Sequence, residues 1–270
     1  MTMIDFDPQH FGDTVMRDFR TRRLAGDGSF RTASLNAVLE SKALGHPAFE
    51  GMGIGERRTA PMVAVYLDLT DFTGRTFWDD EGEVADLAHA VLSGFVNVVS
   101  AFGGYPLGLR GDGLFAGFGP GDARVDAVFG LSACAFALNA VQTSLNTQLE
   151  AADIRRVQAR AGLDYGRITF VRSGTRESSE VNAIGFAANF AAKCEKKAKS
   201  WEIVIGESIV DLLPDHTSFT EHGDSPKSYQ RDDERRYYRF FDYHWRKTLP
   251  YIPGTIEQIG GHSTAQIAIN

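Results

Sequence analysis

Two hydrophobic periods alternate along the chain, and each change of period predicts a new element. A continuous run of apolar, β-prone residues over 62–67 is typical of a strand buried on both faces. Over residues 83–102 the apolar positions recur every three or four residues, which predicts an amphipathic helix with one face in the core. The regular part of the chain therefore starts with a strand followed by a long helix.

A glycine-bracketed aspartate marks the next element. Residues 107–110 and 114–118 flank Gly111, Asp112 and Gly113, which predicts two short strands joined by a tight turn with Asp112 at its tip. The pattern then predicts a helix over 123–149, strands over 157–165 and 168–171 separated by Gly166-Arg167, a polar loop over 173–180, a helix over 185–197, a strand over 203–205, a short helix from Glu207 and a strand over 237–241. This order, β α ββ α ββ α β, indicates an α+β or α/β domain.

Three segments follow from this pattern. Residues 1–58 carry scattered glycines and a short helical pattern over 34–44, which predicts an N-terminal appendage of unknown role. Residues 59–243 hold the regular elements and are predicted to be the main domain. Residues 244–270 form a C-terminal tail with no clear period.

Composition narrows the function classes. The apolar fraction is 43%, which is enough for a real core, and the formal net charge is −7 with a sequence pI near 5.5. A general nucleic-acid or membrane-surface binder needs a basic field, so neither partner is expected. The two cysteines, Cys134 and Cys194, lie in alanine-rich helical stretches without metal-ligand spacing. The first residues include acidic side chains where a secretory signal would be basic and apolar, so we expect a cytoplasmic protein.

Two aspartates carry the candidate chemistry. Asp68 lies at the end of the buried strand, in VAVYLDLTDFTG, and Asp112 lies at the hairpin tip, in GDGLFAGFG. Strand ends can bring two carboxylates together, and such oxygen ligands suit Mg²⁺ or Mn²⁺. An aspartate in a turn is also an ordinary turn former, so the residues alone leave both interpretations open.

Four motifs in order resemble the class III adenylate and guanylate cyclase catalytic domain over about residues 61–241. They are DLTDFTG, GDG, RAGLDYG and AIGFAANFAAK. The resemblance implies an α+β fold of the ferredoxin-like palm type, with a mixed or antiparallel sheet flanked by helices. It also implies a head-to-tail homodimer that shares two active sites and binds two divalent ions per site.

The resemblance also implies a role for each matched residue. The metal ligands are Asp68, Leu69 and Asp112; the triphosphate ligands are Phe72, Thr73, Gly74 and Arg160; Asn189 orients the ribose; Lys193 stands where the family has its transition-state arginine; and the base pocket contains Gly108, Asn182 and Ile184. Lys227, Arg235 and Arg236 are further candidates for the triphosphate.

Departures from the family concern the substrate. Gly108 stands where purine cyclases carry a lysine, and Asn182 stands where adenylate enzymes carry an aspartate. With the metal motifs intact, this pattern resembles the bacterial pyrimidine cyclases of antiphage defence, as does the closing run RYYRFFDYHWRKTLPY. That resemblance implies cyclisation of UTP, placed ahead of CTP, to a second messenger that activates a separate cyclic-nucleotide-binding effector.

Two alternatives remain at this point. An ordinary adenylate or guanylate cyclase would read its base through other residues. A catalytically degenerate domain would bind nucleotide and only regulate a partner, although two retained carboxylates that repel each other argue against a retired site.

Overall fold

The computed structural model describes residues 7–25 and 44–259. Its helices are α1 (Pro8–Ala25), α2 (Pro47–Glu50), α3 (Phe72–Trp78), α4 (Glu81–Ala101), α5 (Ala123–Ala140), α6 (Asn146–Ala151), α7 (Phe186–Lys197), α8 (Glu207–Leu212) and α9 (Ile252–Ile259). A π-helical turn, Val141–Leu145, joins α5 to α6, and two short 3₁₀ turns, Trp245–Lys247 and Leu249–Tyr251, precede α9. The strands are β1 (Arg57–Thr70), β2 (Tyr105–Arg110), β3 (Gly113–Phe118), β4 (Gln158–Gly174), β5 (Ser179–Ile184), β6 (Ile203–Gly206), β7 (Phe219–Glu221), β8 (Lys227–Arg231), β9 (Glu234–Tyr238) and β10 (Phe240–Tyr243).

A mixed sheet forms the centre of the domain. Its strand order is β2-β3-β1-β4-β6-β10-β7, with β5 added on β4, and β8 and β9 form a separate hairpin. The β1 strand pairs antiparallel with both β3 and β4, whereas β4 pairs parallel with β6. The predicted α+β class is confirmed. The predicted long helices are confirmed as well. A side chain caps the start of each: Asp80 accepts from the Glu83 amide in α4, and Asp122 accepts from the Arg124 amide in α5.

Two predictions about the strands are wrong. The predicted strand over 237–241 is divided between β9, which ends at Tyr238 in the separate hairpin, and β10, which begins at Phe240 in the main sheet. Residues 157–165 and 168–171 are not two strands, because β4 runs without a break from Gln158 to Gly174. Gly166 and Arg167 stay in the ladder opposite Met62 and Pro61 of β1, which is itself 14 residues long. Their turn-like composition is overridden by a partner strand that continues past them. The predicted polar loop after β4 leads into β5, which pairs antiparallel with β4. The sequence pattern did not predict this strand.

The N-terminal helix packs into the core of the domain. Phe11, Val15, Met16 and Phe19 of α1 are buried in the main hydrophobic cluster. The close approach of α1 to α4 depends on Gly94, because a Cβ there would lie 2.7 Å from the Phe11 ring. The helical pattern predicted over 34–44 lies outside the described residues, except for Leu44.

Two helical runs are apolar and long enough to span a bilayer. They are α4 and the run 123–151, and more than half of the apolar window of each is buried inside the domain. Core helices of a folded domain pass the same test of length and composition.

We expect α1 to contribute to the stability of the domain. Met16 is 1% exposed, so Met16→Ala should lower the free energy of unfolding by roughly 2–5 kcal/mol. Leu24 in the same helix is 88% exposed, and Leu24→Ala should change it by less than about 0.5 kcal/mol. Urea denaturation followed by circular dichroism measures both. Equal stabilities of the two variants would show that α1 does not pack as described.

Candidate active site

The two aspartates meet where β1 ends against the hairpin tip. Asp68 is the register partner of Gly113, and the Leu69 amide donates to the Asp112 carbonyl at 3.2 Å. A Cβ on Gly113 would lie 2.8 Å from Asp68 Oδ1, so the glycine gives the Asp68 carboxylate room to lie against the hairpin. Gly111 has a φ of +63°, which suits glycine in the tight turn. The sheet therefore brings the predicted metal ligands together.

The electrostatics of this pair suit a cation. Burial, and then repulsion from the nearby Asp68 carboxylate, raise the pKa of Asp112 above its usual range. A divalent ion between the two carboxylates would relieve both costs. The Leu69 side chain is buried in the core, which leaves its backbone carbonyl as the only ligand that it offers. Within residues 7–25 and 44–259, no group of three histidine, cysteine or acidic side chains forms a closed metal cluster, so the remaining ligands would be water and phosphate oxygens.

Arg160 contacts one member of this pair, Asp68, and its side chain is only 25% exposed. Its Nη2 and Nε lie 2.9 and 3.2 Å from Asp68 Oδ2, and Nη2 lies 2.5 Å from Glu195 Oε1. Nη1 donates to the Ala198 carbonyl at 3.3 Å. Sequence analysis missed Glu195, whose pKa is raised by burial and by the Asp68 charge and lowered in part by Arg160. Glu195 lies two residues after Lys193 on the same predicted helix, and no local sequence pattern indicates its contact with Arg160.

The predicted phosphate cradle opens α3 directly after β1. Phe72, Thr73 and Gly74 are its first residues, and Asp71 before them adopts a left-handed conformation with φ 58°. The buried Arg75 of this helix pairs with Asp79 at 3.1 Å and donates to the Arg155 carbonyl at 2.9 Å. These contacts fix α3 on the loop before β4, a role that sequence analysis did not assign.

Asn189 and Lys193 lie on the solvent-exposed face of α7. They are four residues apart and therefore share one face of the helix. Ala191 and Cys194 are buried and face the sheet, so α7 presents the two polar residues outward. Lys193 does not contact the aspartate pair in the described chain and instead contacts Tyr229. An outward face of this kind is what a site completed by a second subunit would require.

The three predicted base-pocket residues lie on β2 and β5. A Cβ on Gly108 would meet nothing within 4 Å, so this position offers open space and no side-chain donor. Asn182 pairs with Val171 in the β4–β5 ladder, and Ile184 at the end of β5 is 56% exposed. No contact joins Gly108 to the other two in the described chain, and the pocket stays a prediction. The candidate basic residues Lys227, Arg235 and Arg236 are exposed on the β8–β9 hairpin.

This fold combines the sheet order given above with a hairpin that carries Asp112 and a strand end that carries Asp68. The adenylyl cyclase CyaB of Pseudomonas aeruginosa shares this fold, with a TM-score of 0.62 and 20% identity over 70% of this chain and 95% of that one. The chain therefore has the fold of the class III nucleotide cyclases.

The chain is also similar in sequence to characterised proteins. A cytidylate cyclase of Escherichia coli is 28% identical over 208 residues, which is 71% of this chain and 43% of that protein. A cytidylate cyclase of Staphylococcus aureus is 25% identical over 64% of this chain and 42% of that protein. The chain thus spans less than half the length of these curated relatives. No family model matches the chain.

Proposed function

We propose that this protein cyclises a pyrimidine nucleoside triphosphate to its 3′,5′-cyclic monophosphate and releases pyrophosphate. The observation that carries the proposal is the convergence of Asp68 and Asp112 on one side of the β1–β3 ladder, with Arg160 beside them. The 3′-oxygen forms a bond to the α-phosphorus, the bond from that phosphorus to the pyrophosphate oxygen breaks, and the 3′-hydroxyl proton leaves to solvent.

Each residue group has a part in this reaction. Asp68, Asp112 and the Leu69 carbonyl would hold two Mg²⁺ or Mn²⁺ ions, which supply activation of the 3′-oxygen and neutralisation of the leaving phosphate when bound. The amides at the start of α3 bind the β- and γ-phosphates, and Arg160 binds phosphate oxygens through its planar fork. Arg160 must leave Asp68 to do so. Asn189 orients the ribose and Lys193 neutralises phosphate charge, both from the second subunit of a homodimer.

The base preference rests on two observations. Gly108 offers open space and no side-chain donor, and Asn182 carries no carboxylate. The lysine and the aspartate found at these two positions in the purine cyclases that the chain resembles are therefore both missing. The curated relatives carry the name cytidylate cyclase, which favours CTP over the UTP that sequence analysis placed first. A role of the cyclic product as a messenger for a separate effector in antiviral defence, inside the cytoplasm, belongs to the same proposal.

A product assay tests the substrate. Purified protein is incubated with CTP, UTP, ATP and GTP in turn with Mn²⁺, and kcat/KM is determined for each by mass spectrometry of the cyclic product. We expect CTP and UTP to exceed both purines by roughly tenfold or more, because each missing base contact costs about that factor. A higher kcat/KM for ATP or GTP would overturn the pyrimidine preference and leave cyclase activity intact. A protein that binds the triphosphates without forming product would support the regulatory alternative.

A further inference from the structure

Lys193 contacts an aromatic side chain, Tyr229, to which the proposed function assigns no part. The Lys193 Nζ donates to the Tyr229 hydroxyl at 2.9 Å and lies 4.7 Å from the centroid of the same ring. Tyr229 lies on β8, 36 residues further along the chain. One side chain thus gives the ammonium both a hydrogen bond and a cation–π contact.

A lysine at this position needs such a holder. An arginine fork is planar and meets phosphate oxygens in a fixed geometry, whereas a lysine ammonium is a point charge on a flexible four-carbon stem. Lys193 is exposed, so the helix itself does not restrict the stem. A contact that fixes the ammonium restores part of the preorganisation that the lysine lacks, and preorganised charge is what stabilises a transition state.

Aromatic residues of α7 and β9 hold Tyr229 in place. Its ring packs edge-on against Phe186 of α7 at 5.6 Å, and Phe186 stacks on Phe190 and meets Tyr238 of β9. The Tyr238 hydroxyl donates to the fully buried Asp164 of β4 at 3.0 Å. The β8–β9 hairpin is therefore anchored to the sheet and to α7, so it can hold Lys193 in a defined place.

We propose that Tyr229 is a positioning residue that holds the Lys193 ammonium for the transition state of cyclisation. The inference rests on the proposed function, and it goes beyond the residues that the family resemblance assigns. It explains how a lysine works at a position where the resembling enzymes use arginine. Tyr229 acts through Lys193, so its contribution has to disappear when Lys193 is absent.

The kinetic test uses Tyr229→Phe, which keeps the ring and removes the hydroxyl. We expect kcat to fall roughly tenfold while KM changes less than about twofold, because the lost contact serves the transition state. In a Lys193→Ala background, Tyr229→Phe should lower kcat no further. The matched control is Tyr237→Phe, an exposed tyrosine of the same hairpin, which should leave kcat unchanged. Normal kcat in Tyr229→Phe, or an equal loss with and without Lys193, would overturn the inference.

A second readout does not depend on turnover. Acetylation of Lys193 by a fixed dose of acetic anhydride, measured by peptide mass spectrometry with Lys196 as the internal reference, should rise severalfold in Tyr229→Phe. Unchanged acetylation would show that Tyr229 does not hold the ammonium. A wild-type protein that cyclises no triphosphate would overturn the proposed function and the catalytic part of this inference together, whereas normal turnover in Tyr229→Phe overturns the inference alone.

Discussion

Replacing either aspartate with asparagine should abolish cyclisation. In Asp68→Asn and in Asp112→Asn, kcat/KM for the best triphosphate should fall roughly a thousandfold or more at saturating Mn²⁺. The reason is that an amide keeps the shape of the side chain but removes the negative charge that holds the cation. Each variant should also bind Mn²⁺ more weakly when titrated by calorimetry without nucleotide.

The matched control for both aspartates is Asp153→Asn. Asp153 is an exposed turn residue with φ 58°, a conformation that asparagine tolerates, and it lies outside the site. This variant should keep full activity and Mn²⁺ binding. Turnover that survives in both Asp68→Asn and Asp112→Asn would refute the two-metal assignment, and loss of folding is checked by thermal melting of each variant.

Mixing two inactive variants should restore activity if the site is shared between subunits. Asp112→Asn removes the metal half of a site and Asn189→Ala removes the ribose half. In a mixed dimer one site is then intact and the other carries both defects. After random exchange at equal amounts, activity should reach roughly a quarter of the wild-type value, since half of the dimers are mixed and each has one working site.

The control for this mixture combines Asp68→Asn with Asp112→Asn. Both changes lie in the same half of the site, so no pairing restores it, and this mixture should stay inactive. Exchange of subunits is verified by pull-down of an untagged chain with a tagged one. Recovery in the control mixture, or no recovery in the first mixture despite exchange, would contradict a site built from two chains.

The pairing of Asp68 with the Asp112 hairpin shows how much a local sequence pattern can predict. The apolar run over 62–67 and the glycines around Asp112 predicted a buried strand and a tight hairpin, and both elements are present. Their antiparallel pairing then follows from the fold, and it places Asp68 beside Gly113. The prediction held because each element has a periodicity or turn chemistry of its own.

Other features were beyond local pattern because they depend on partners distant in sequence. The continuity of β4 through Gly166 follows from the length of β1, a strand about a hundred residues earlier. The packing of α1 depends on the space that Gly94 leaves on α4. Tertiary pairing overrides a local turn signal in the first case and gives an apparent appendage a core position in the second.

The sequence by itself determined the α+β class, most helices and strands, and the residue types of the candidate site, because burial periodicity and turn glycines are local properties. Only the tertiary structure decided what those side chains touch. It paired Arg160 with both Asp68 and Glu195, and it set Lys193 against Tyr229. The physical reason is that an ion pair or a hydrogen bond is fixed by the positions of two atoms in space, and those positions come from the packing of the whole sheet and its helices.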